Sequence, residues 1–391
     1  MLILAIFSVI EVYSSIGKVA YDHDWNVYRA IGKHVFVILL SYACTIVLSN
    51  LNYGLYKGMA RIFFYFILIL LGYVFFMYLK SRFVDIGNGK AAVRWIELPV
   101  IGQFQPSELA KYALIIYLSE RIVKYKDSLK DKKVFLKLML PVAITCGFIF
   151  PENFSTAGIV FMACFILMFV AGVNWKYLLV TLLIVVAVVA VVLYSSLSGV
   201  ADVGRSSTWV TRITDWLNPD DNALTQTNQA KMAIASGGIF GNGIGSTIQG
   251  RFLSESHTDF IYAVIVEEMG LLIALFILLL YITFFIRCMI IANSSRTTFG
   301  SLLVAGIGLL IFMQALINMG VAVGYLPVTG QTLPLISFGG TSYVITCSAI
   351  GMIQSVYYLD KKRKKQESLK KEVETTTEDN NKNDTCHESN N

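Results

Sequence analysis

Long apolar segments recur along most of the chain, and they restrict its fold more than any other feature. A helix needs roughly 17–25 apolar residues to cross about 30 Å of hydrocarbon, and segments of about this length are repeated throughout. Hydrophobic residues make up 55% of the 391 residues, charged residues only 15%, and the mean hydropathy is +0.63, which excludes an ordinary water-soluble domain. The sequence therefore predicts an all-α polytopic membrane protein that needs no strands. About ten transmembrane helices are predicted, near residues 1–16, 33–50, 61–79, 107–120, 134–150, 155–172, 176–195, 259–287, 300–319 and 341–358.

Basic residues set the predicted orientation of these helices. A polybasic run, Lys361 to Lys365, follows the last helix, and the basic loop 121–137 falls on the same side of the membrane. Positive loops favour the cytoplasm, and an even number of crossings puts both termini there. We divide the chain into a multi-span membrane domain, residues 1–360, and a basic and then polar cytoplasmic tail, residues 361–391, which is predicted to be disordered. The net charge of +6 is assigned to orientation and anionic lipid, and no nucleic-acid partner is expected.

Four polar connections lie on the predicted outer side, and the first two carry polar residues at helix starts. The first contains Arg94 and Trp95 and leads to Ser107, Glu108 and Lys111 at the start of the fourth helix. Ser107 and Glu108 fit an N-cap and a first-turn acid, but a lysine in the first turn opposes the helix dipole, so an anion is expected nearby. In the second connection, "PENFSTAG", Ser155 or Thr156 is predicted to cap the sixth helix.

A long outward loop, residues 195–258, separates the seventh and eighth predicted helices. It contains Arg212, Lys231 and Arg251 and the glycine cluster "GGIFGNGIG". The cluster fits neither a Walker A loop nor a dinucleotide fingerprint. Two interpretations stay open, a backbone that presents N–H groups to a phosphate and a flexible glycine loop with solvated charges. A later connection, residues 320–343, mixes Gly, Pro, Ser and Thr and predicts re-entrant backbone that lines a cavity.

Acids occur at two depths in the stretch "SESHTDFIYAVIVEE" at the start of the eighth helix. Ser256 and Asp259 fit a capping box, and Asp259 equally fits a shallow general base at a wet helix entrance. Glu267 lies about 12 Å deeper and about 80° around the helix from Asp259, whereas Glu268 points roughly 180° away. Each deep acid costs roughly 3 kcal/mol if it is bare in hydrocarbon, so we expect both to be paired as structural braces.

Four blocks of the sequence, in order, resemble the SEDS family of bacterial cell-wall polymerases, the FtsW, RodA and SpoVE group. They are "RWIELPVIGQFQPSELAK", "GGIFGNGIG", "HTDFIYAVIVEE" and "LPVTGQTLPLISFGGTS". The resemblance implies a peptidoglycan glycosyltransferase that polymerises lipid II on the outer face of the bacterial cytoplasmic membrane, with inversion and undecaprenyl pyrophosphate as leaving group. It implies that Asp259 is the catalytic base, taking the proton of an attacking sugar 4-hydroxyl.

The resemblance also assigns roles to other positions of the site. A pyrophosphate needs cations, and the predicted substrate-binding residues are Arg94, Trp95, Lys111, Arg212, Lys231, Arg251, His257 and Thr258. Supporting structural roles are expected for Glu108, Glu267, Glu268, Ser337, Gly339 and Gly340. No ligand cluster requires a metal, although an outward carboxylate beside pyrophosphate could share a divalent cation. The implied partners are lipid II, a class B penicillin-binding protein with transpeptidase activity, and other divisome or elongasome membrane proteins.

Three positions depart from the patterns within the family. Leu326 to Gly330 reads L-P-V-T-G, as in elongation-type RodA, where division proteins usually have L-P-T-K-G. "PENFSTAG", by contrast, resembles FtsW-like members, and we favour that subgroup and a septal role over a RodA-like role. Asn242 stands where a lysine is frequent, which weakens the phosphate interpretation of the glycine block.

Two other classes of function compete with the polymerase. A lipid II flippase also needs polar residues in a helical membrane bundle, but no inverted repeat is evident and the polar groups gather on one side. A scaffold for cell-wall enzymes leaves Asp259 without a role. Synthesis of glycan chains from lipid II separates the polymerase from both.

Overall fold

The computed structural model describes residues 1–22, 27–84, 96–98, 102–198, 206–217, 226–248, 253 and 258–388. Its helices are α1 (Leu2–Asp22), α2 (Val27–Asn50), α3 (Tyr53–Val84), α4 (Pro106–Lys124), α5 (Lys132–Ile149), α6 (Phe154–Val170), α7 (Trp175–Leu197), α8 (Ser206–Leu217), α9 (Gln226–Gly237), α10 (Ile261–Ser294), α11 (Thr298–Ala322) and α12 (Gly340–Glu388). A short antiparallel hairpin, β1 (Ile96–Leu98) and β2 (Gly102–Phe104), pairs Ile96 with Phe104. The architecture is all-α, and this hairpin is the exception to an expectation without strands.

Each of the predicted apolar segments is helical, which makes the chain a multi-pass membrane protein. Five helices of the described part are long and apolar enough to cross a membrane: Ile31–Asn50, Tyr53–Lys80, Trp175–Leu197, Ile261–Ser294 and Thr298–Ala322. Shorter apolar helices occupy Leu2–Ser14 and Phe154–Val170. The count of ten crossings and the outward position of the long loop stay predictions.

The core of the bundle lies around α11. Its apolar window is 61% buried, whereas that of α7 is 6% buried, so α11 is central and α7 lies at the edge. α11 packs against α4, α6, α10 and α12, and α2 packs along α12. Small residues allow close approach: Gly306 lies against Ile115 of α4 and Gly308 against Cys288 of α10.

Helix α10 is interrupted at Gly270, where φ is 84° and ψ is 172°. The glycine segment, residues 237–245, lies against this break and supplies the missing backbone partners. Asn242 N donates to Glu267 O at 3.0 Å and Gly243 N to Glu268 O at 2.9 Å, while Leu271 N donates to Gly238 O at 3.0 Å. The N–H groups of Asn242 and Gly243 therefore complete a broken membrane helix, and for these two the phosphate interpretation is wrong.

Three helix starts differ from the caps predicted from sequence. α4 begins at Pro106 with Gln105 as N-cap, because proline suits the first turn, so Ser107 is not the cap. α6 is capped by Asn153, whose side chain accepts a hydrogen bond from Thr156 N at 3.1 Å. α10 begins at Ile261, so Asp259 precedes the helix instead of occupying the third position of a capping box.

The last helix continues into the tail. α12 runs to Glu388 and thus includes most of residues 361–391. Arg296, in the turn between α10 and α11, forms an ion pair with Glu367 of this extension. The disorder of the tail stays a prediction.

Candidate functional site

Asp259 lies just before α10 and is half-buried. We call the end of the bundle formed by Asp259, Gly330 and Gly324 the mouth. Gly330, in the irregular connection between α11 and α12, faces its carboxylate. A methyl group on Gly330 would lie 3.5 Å from Asp259 Oδ2 and 3.9 Å from Arg212 Nη1. The carboxylate and the guanidinium therefore meet beside the same glycine, whose lack of a side chain lets both lie close to its backbone.

Arg212 reaches this position from α8, an amphipathic helix of the long loop. Its Nη1 donates to Val328 O at 3.1 Å, two residues before Gly330. Trp209, one turn earlier on α8, is buried against Phe150 and Phe154, with ring centroids 5.2 Å and 4.7 Å away. Aromatic packing thus fixes the helix that presents the arginine.

Lys231 and Trp216 hold the start of the same irregular connection. Trp216 Nε1 donates to Gly324 O at 3.0 Å. The stem of Lys231, on α9, lies across Gly324, and a methyl group there would stand 3.1 Å from Lys231 Nζ. Lys231 is itself exposed, so its ammonium is a second cation near the mouth.

Side chains from α11 and from the irregular connection bind the backbone around Asp259 from inside the bundle, and we call this hydrogen-bonded layer the floor of the site. Asn318 Nδ2 donates to Asp259 O at 2.8 Å and to Gln331 O at 2.6 Å. Gln331 Nε2 in turn donates to Thr156 Oγ1 at 2.8 Å. Ser337 Oγ donates to Thr258 O at 2.7 Å and accepts from Leu333 N at 2.7 Å. The irregular backbone is buried within protein here, as membrane depth requires.

Lys111, expected among the outward cations, is buried instead, with 1% of its surface exposed. Its ammonium donates to Glu108 Oε2 and to Gln314 Oε1, each at 2.7 Å. Gln314 Nε2 then donates to Thr332 O at 3.1 Å. The anion near Lys111 is thus Glu108. This pair contacts the floor through Gln314 and does not face the mouth.

The other predicted site residues divide into those outside the described part of the chain and those within it. Arg94, Trp95, Arg251 and His257 lie outside the described residues. Thr258 contributes its carbonyl to the bond with Ser337, and its own surface is partly exposed. Gly340 begins α12, and Gly339 lies close to Ser342, where a methyl group would stand 2.9 Å from its Oγ.

Glu267 and Glu268 lie on the opposite side of the glycine segment from solvent and are 0% and 1% exposed. Glu267 accepts from Thr247 Oγ1 at 2.5 Å and from Ile248 N at 2.8 Å. Glu268 accepts from Gly245 N at 3.1 Å and from Ser14 Oγ of α1. Hydrogen bonds from main chain and hydroxyls, not substrate, therefore occupy these carboxylates.

Two polar atoms around the mouth are enclosed by protein without a hydrogen-bond partner among the described residues, Thr329 Oγ1 and Asn318 Oδ1. Unsatisfied buried atoms are rare in native proteins and point to places where function overrides packing. No group of three His, Cys, Asp or Glu side chains suited to a metal occurs in the described part. The divalent cation considered from the sequence stays a prediction.

The arrangement suits proton transfer beside an anion. A half-buried carboxylate can accept a proton from a hydroxyl within hydrogen-bond reach. A guanidinium and an ammonium near it can stabilise negative charge that develops on a leaving group.

Sequence reasoning missed several residues of the floor, namely Gln314, Asn318, Thr329, Gly330 and Gln331. A signal was available for two of them. Gln314 and Asn318 are four residues apart on an otherwise apolar helix, so they share one face, and polar side chains inside a membrane helix mark functional positions. Gln331 and Gly330 lie in irregular backbone, where no periodicity reveals which residues face the site.

Comparisons with known proteins agree on one family. The family description "Cell cycle protein" (FTSW_RODA_SPOVE) matches residues 1–362. A protein of Coxiella burnetii named "Probable peptidoglycan glycosyltransferase FtsW" is 35% identical over 275 residues, covering 68% of this chain and 71% of that protein. The protein named "Peptidoglycan glycosyltransferase MrdB" of Escherichia coli K12 is 30% identical over 365 residues, 91% of each chain.

Solved structures share the fold. A chain of a peptidoglycan synthase complex, described as coordinating polymerization and crosslinking, superimposes with a TM-score of 0.68 at 24% identity over 92% of this chain and 97% of that one. The rod shape determining protein RodA of Thermus thermophilus superimposes with a TM-score of 0.61 at 23% identity over 91% of this chain and 95% of that one.

Proposed function

This chain belongs to the FtsW/RodA/SpoVE family of cell cycle proteins, and on that premise we propose that it is a peptidoglycan glycosyltransferase that polymerises lipid II. The reaction takes place on the outer face of the bacterial cytoplasmic membrane, with both termini of the chain in the cytoplasm. The observation that carries the proposal is the meeting of Asp259 and Arg212 beside Gly330 at the mouth of a membrane bundle.

Asp259 acts as general base in this proposal. The 4-hydroxyl oxygen of one lipid II attacks the anomeric carbon of the growing chain, and its proton passes to the Asp259 carboxylate. The bond from that carbon to the pyrophosphate oxygen breaks, and undecaprenyl pyrophosphate leaves with the electron pair. Attack from the face opposite the leaving group inverts the configuration.

The cations around the mouth stabilise the leaving pyrophosphate. Arg212 is held by Val328 O and faces Gly330, and Lys231 presents an exposed ammonium beside Gly324. Arg94, Arg251, Trp95, His257 and Thr258 are proposed to complete substrate binding. Lys111 is assigned to the floor with Glu108 because its ammonium is already bound by two side chains.

A septal role in division is the finer part of the proposal. The sequence "PENFSTAG" favours the FtsW-like subgroup, although relatives named FtsW and MrdB match comparably. A class B penicillin-binding protein is the proposed partner, with other divisome or elongasome membrane proteins around it. The structural likeness to a chain of a peptidoglycan synthase complex supports this partner class.

The decisive experiment uses the purified full chain in detergent with its transpeptidase partner and fluorescent lipid II. Wild type is expected to make glycan chains, and Asp259→Asn, which keeps the side chain's size but cannot take the proton, is expected to lose at least about 100-fold in rate. Asp127→Asn, an exposed aspartate in the turn after α4, is the matched control and keeps the wild-type rate.

Two outcomes would contradict the proposal. One is a wild-type chain that makes no glycan with its partner present but moves lipid II between leaflets of a vesicle, as a flippase would. The other is an Asp259→Asn chain that polymerises as fast as wild type, which would remove Asp259 from the chemistry.

A further inference from the structure

Asp259 lacks the usual constraint of a helical residue, because it lies before α10 and the N-cap, Phe260, makes no side-chain capping bond. A base must nevertheless be held within fractions of an ångström of its working position. The backbone of Asp259 is fixed from outside the segment that carries it, by the carboxamide of Asn318 on α11.

We propose that Asn318 is the positioning residue for the base, an inference that rests on the proposed function. Its single amide nitrogen has two hydrogens, and both are used, one on Asp259 O at 2.8 Å and one on Gln331 O at 2.6 Å. The two carbonyls belong to different segments, the turn before α10 and the irregular connection, where Gln331 directly follows Gly330. One NH₂ group thus links the backbone of the base, Asp259, to the backbone beside Gly330, which faces the Asp259 carboxylate.

The other end of Asn318 argues against a role in stability alone. The residue is 1% exposed, and its Oδ1 has no hydrogen-bond partner among the described residues. The orientation of the amide is fixed by its neighbours, because the reverse orientation would place its oxygen against two carbonyl oxygens. A buried unpaired oxygen lowers stability, so what favours this side chain is the pair of hydrogen bonds that its nitrogen donates.

The position on α11 makes Asn318 suited to this task. Gln314, one turn earlier on the same face, anchors Thr332 O and is itself bound by Lys111. α11 is the most buried of the five apolar membrane helices of the described part. Ser337 also binds the turn before α10, through Thr258 O. Ser337 itself lies in the irregular connection, however, and is therefore not anchored on a helix as Asn318 is.

The test compares two variants that remove the donors in different ways. Asn318→Leu keeps the approximate size and removes all polarity. Asn318→Asp keeps the shape but puts an oxygen against the two carbonyl oxygens, and it can donate at most one hydrogen bond, when it is protonated. Initial rates of glycan synthesis are measured against lipid II concentration, together with the midpoint of thermal unfolding in detergent. We expect kcat to fall roughly 100-fold in both variants, the loss associated with misplacement of a reacting group by about 1 Å, while KM stays within about 3-fold.

The unfolding midpoint separates positioning from stability. In Asn318→Leu, the carbonyls of Asp259 and Gln331 lose their donor, so the midpoint should fall by several degrees, and the rate is therefore taken per folded molecule. Asn50→Leu is the matched control, because Asn50 Nδ2 also donates to a backbone carbonyl, Ile46 O at 3.0 Å, at an exposed helix end. This control should keep both the rate and the midpoint.

The inference is overturned if both Asn318 variants retain kcat within about 3-fold. It is equally overturned if the loss of rate only follows the loss of folded protein, since that is the behaviour of a structural residue. Failure of the proposed function looks different, because wild type itself would then make no glycan or Asp259→Asn would remain active.

Discussion

Helix α10 and the turn before it carry carboxylates in two contrasting environments. Asp259 is half-buried, precedes the helix, and faces Gly330 and Arg212 at the mouth. Glu267 and Glu268 are buried and accept hydrogen bonds from two hydroxyls and two backbone N–H groups. The two deep carboxylates are thus bound by main-chain and hydroxyl donors inside the bundle, whereas the Asp259 carboxylate lies beside a glycine and a guanidinium.

The break at Gly270 makes the deep environment possible. The interruption frees backbone groups of α10, and the glycine segment enters close enough to pair with them and to bond the two glutamates. The part of α10 nearest Asp259, residues 261–269, is thereby connected to the loop between α7 and α10 and also, through Ser14, to α1. Breaking this junction should damage folding, whereas changes at the mouth should damage turnover.

The largest expected effect is on folding, from Gly241→Ala. Gly241 has φ 80°, and a methyl group there would lie 2.6 Å from Gly270 N and closer still to Glu268 O. Because backbone cannot move aside cheaply, we expect a loss of more than about 4 kcal/mol and little monodisperse protein in detergent. Gly245→Ala isolates the clash, since Gly245 has the same φ but no heavy atom within 4 Å, and it should cost only about 1–2 kcal/mol. Equal behaviour of the two variants would show that the junction is not tightly packed.

The next effect is on turnover, from Arg212→Gln. Loss of the guanidinium removes a charge from beside the leaving pyrophosphate and the bond to Val328 O. Removal of one such stabilising donor lowers kcat by roughly 10²–10³-fold in other enzymes, and we expect at least the lower figure in the lipid II assay. Arg287→Gln, at an exposed position on α10, is the control that should not change the rate. An active Arg212→Gln would mean that the mouth does not bind the pyrophosphate.

Much of the fold could be predicted from sequence because membrane helices are defined by local composition. The apolar segments all become helices, since in hydrocarbon the backbone leaves few alternatives. The hairpin at Ile96–Phe104 and the break at Gly270 could not be predicted in this way. Both depend on contacts between distant segments, and a glycine inside an apolar run is equally compatible with a continuous helix.

The candidate site could be predicted only in part, and Lys111 shows why. Its position in a first turn correctly indicated a nearby anion, but the sequence could not tell that Glu108 and Gln314 would take up its ammonium. Asp259 was identified from its family block, whereas Asn318 and Gly330 become visible only when α11 and the irregular connection are brought together. Side chains that act through tertiary contacts leave little local signal.

The smallest effect, on stability without loss of turnover, is expected for Glu268→Gln. A glutamine can accept from Gly245 N with its oxygen and donate its NH₂ group to Ser14 Oγ, so it keeps both contacts but loses the stronger hydrogen bonds that a charged acceptor makes. We expect the free energy of unfolding to fall by about 1–2 kcal/mol, seen as a midpoint lower by a few degrees, while the rate per folded molecule stays within about 3-fold. Glu367→Gln, which removes an exposed ion pair with Arg296, should change stability by no more than about 0.5 kcal/mol. Asp259→Asn should instead keep the midpoint of unfolding and lose turnover. If Glu268→Gln abolished turnover with its midpoint intact, the deep carboxylates would belong to the chemistry, and the division between the two environments would fail.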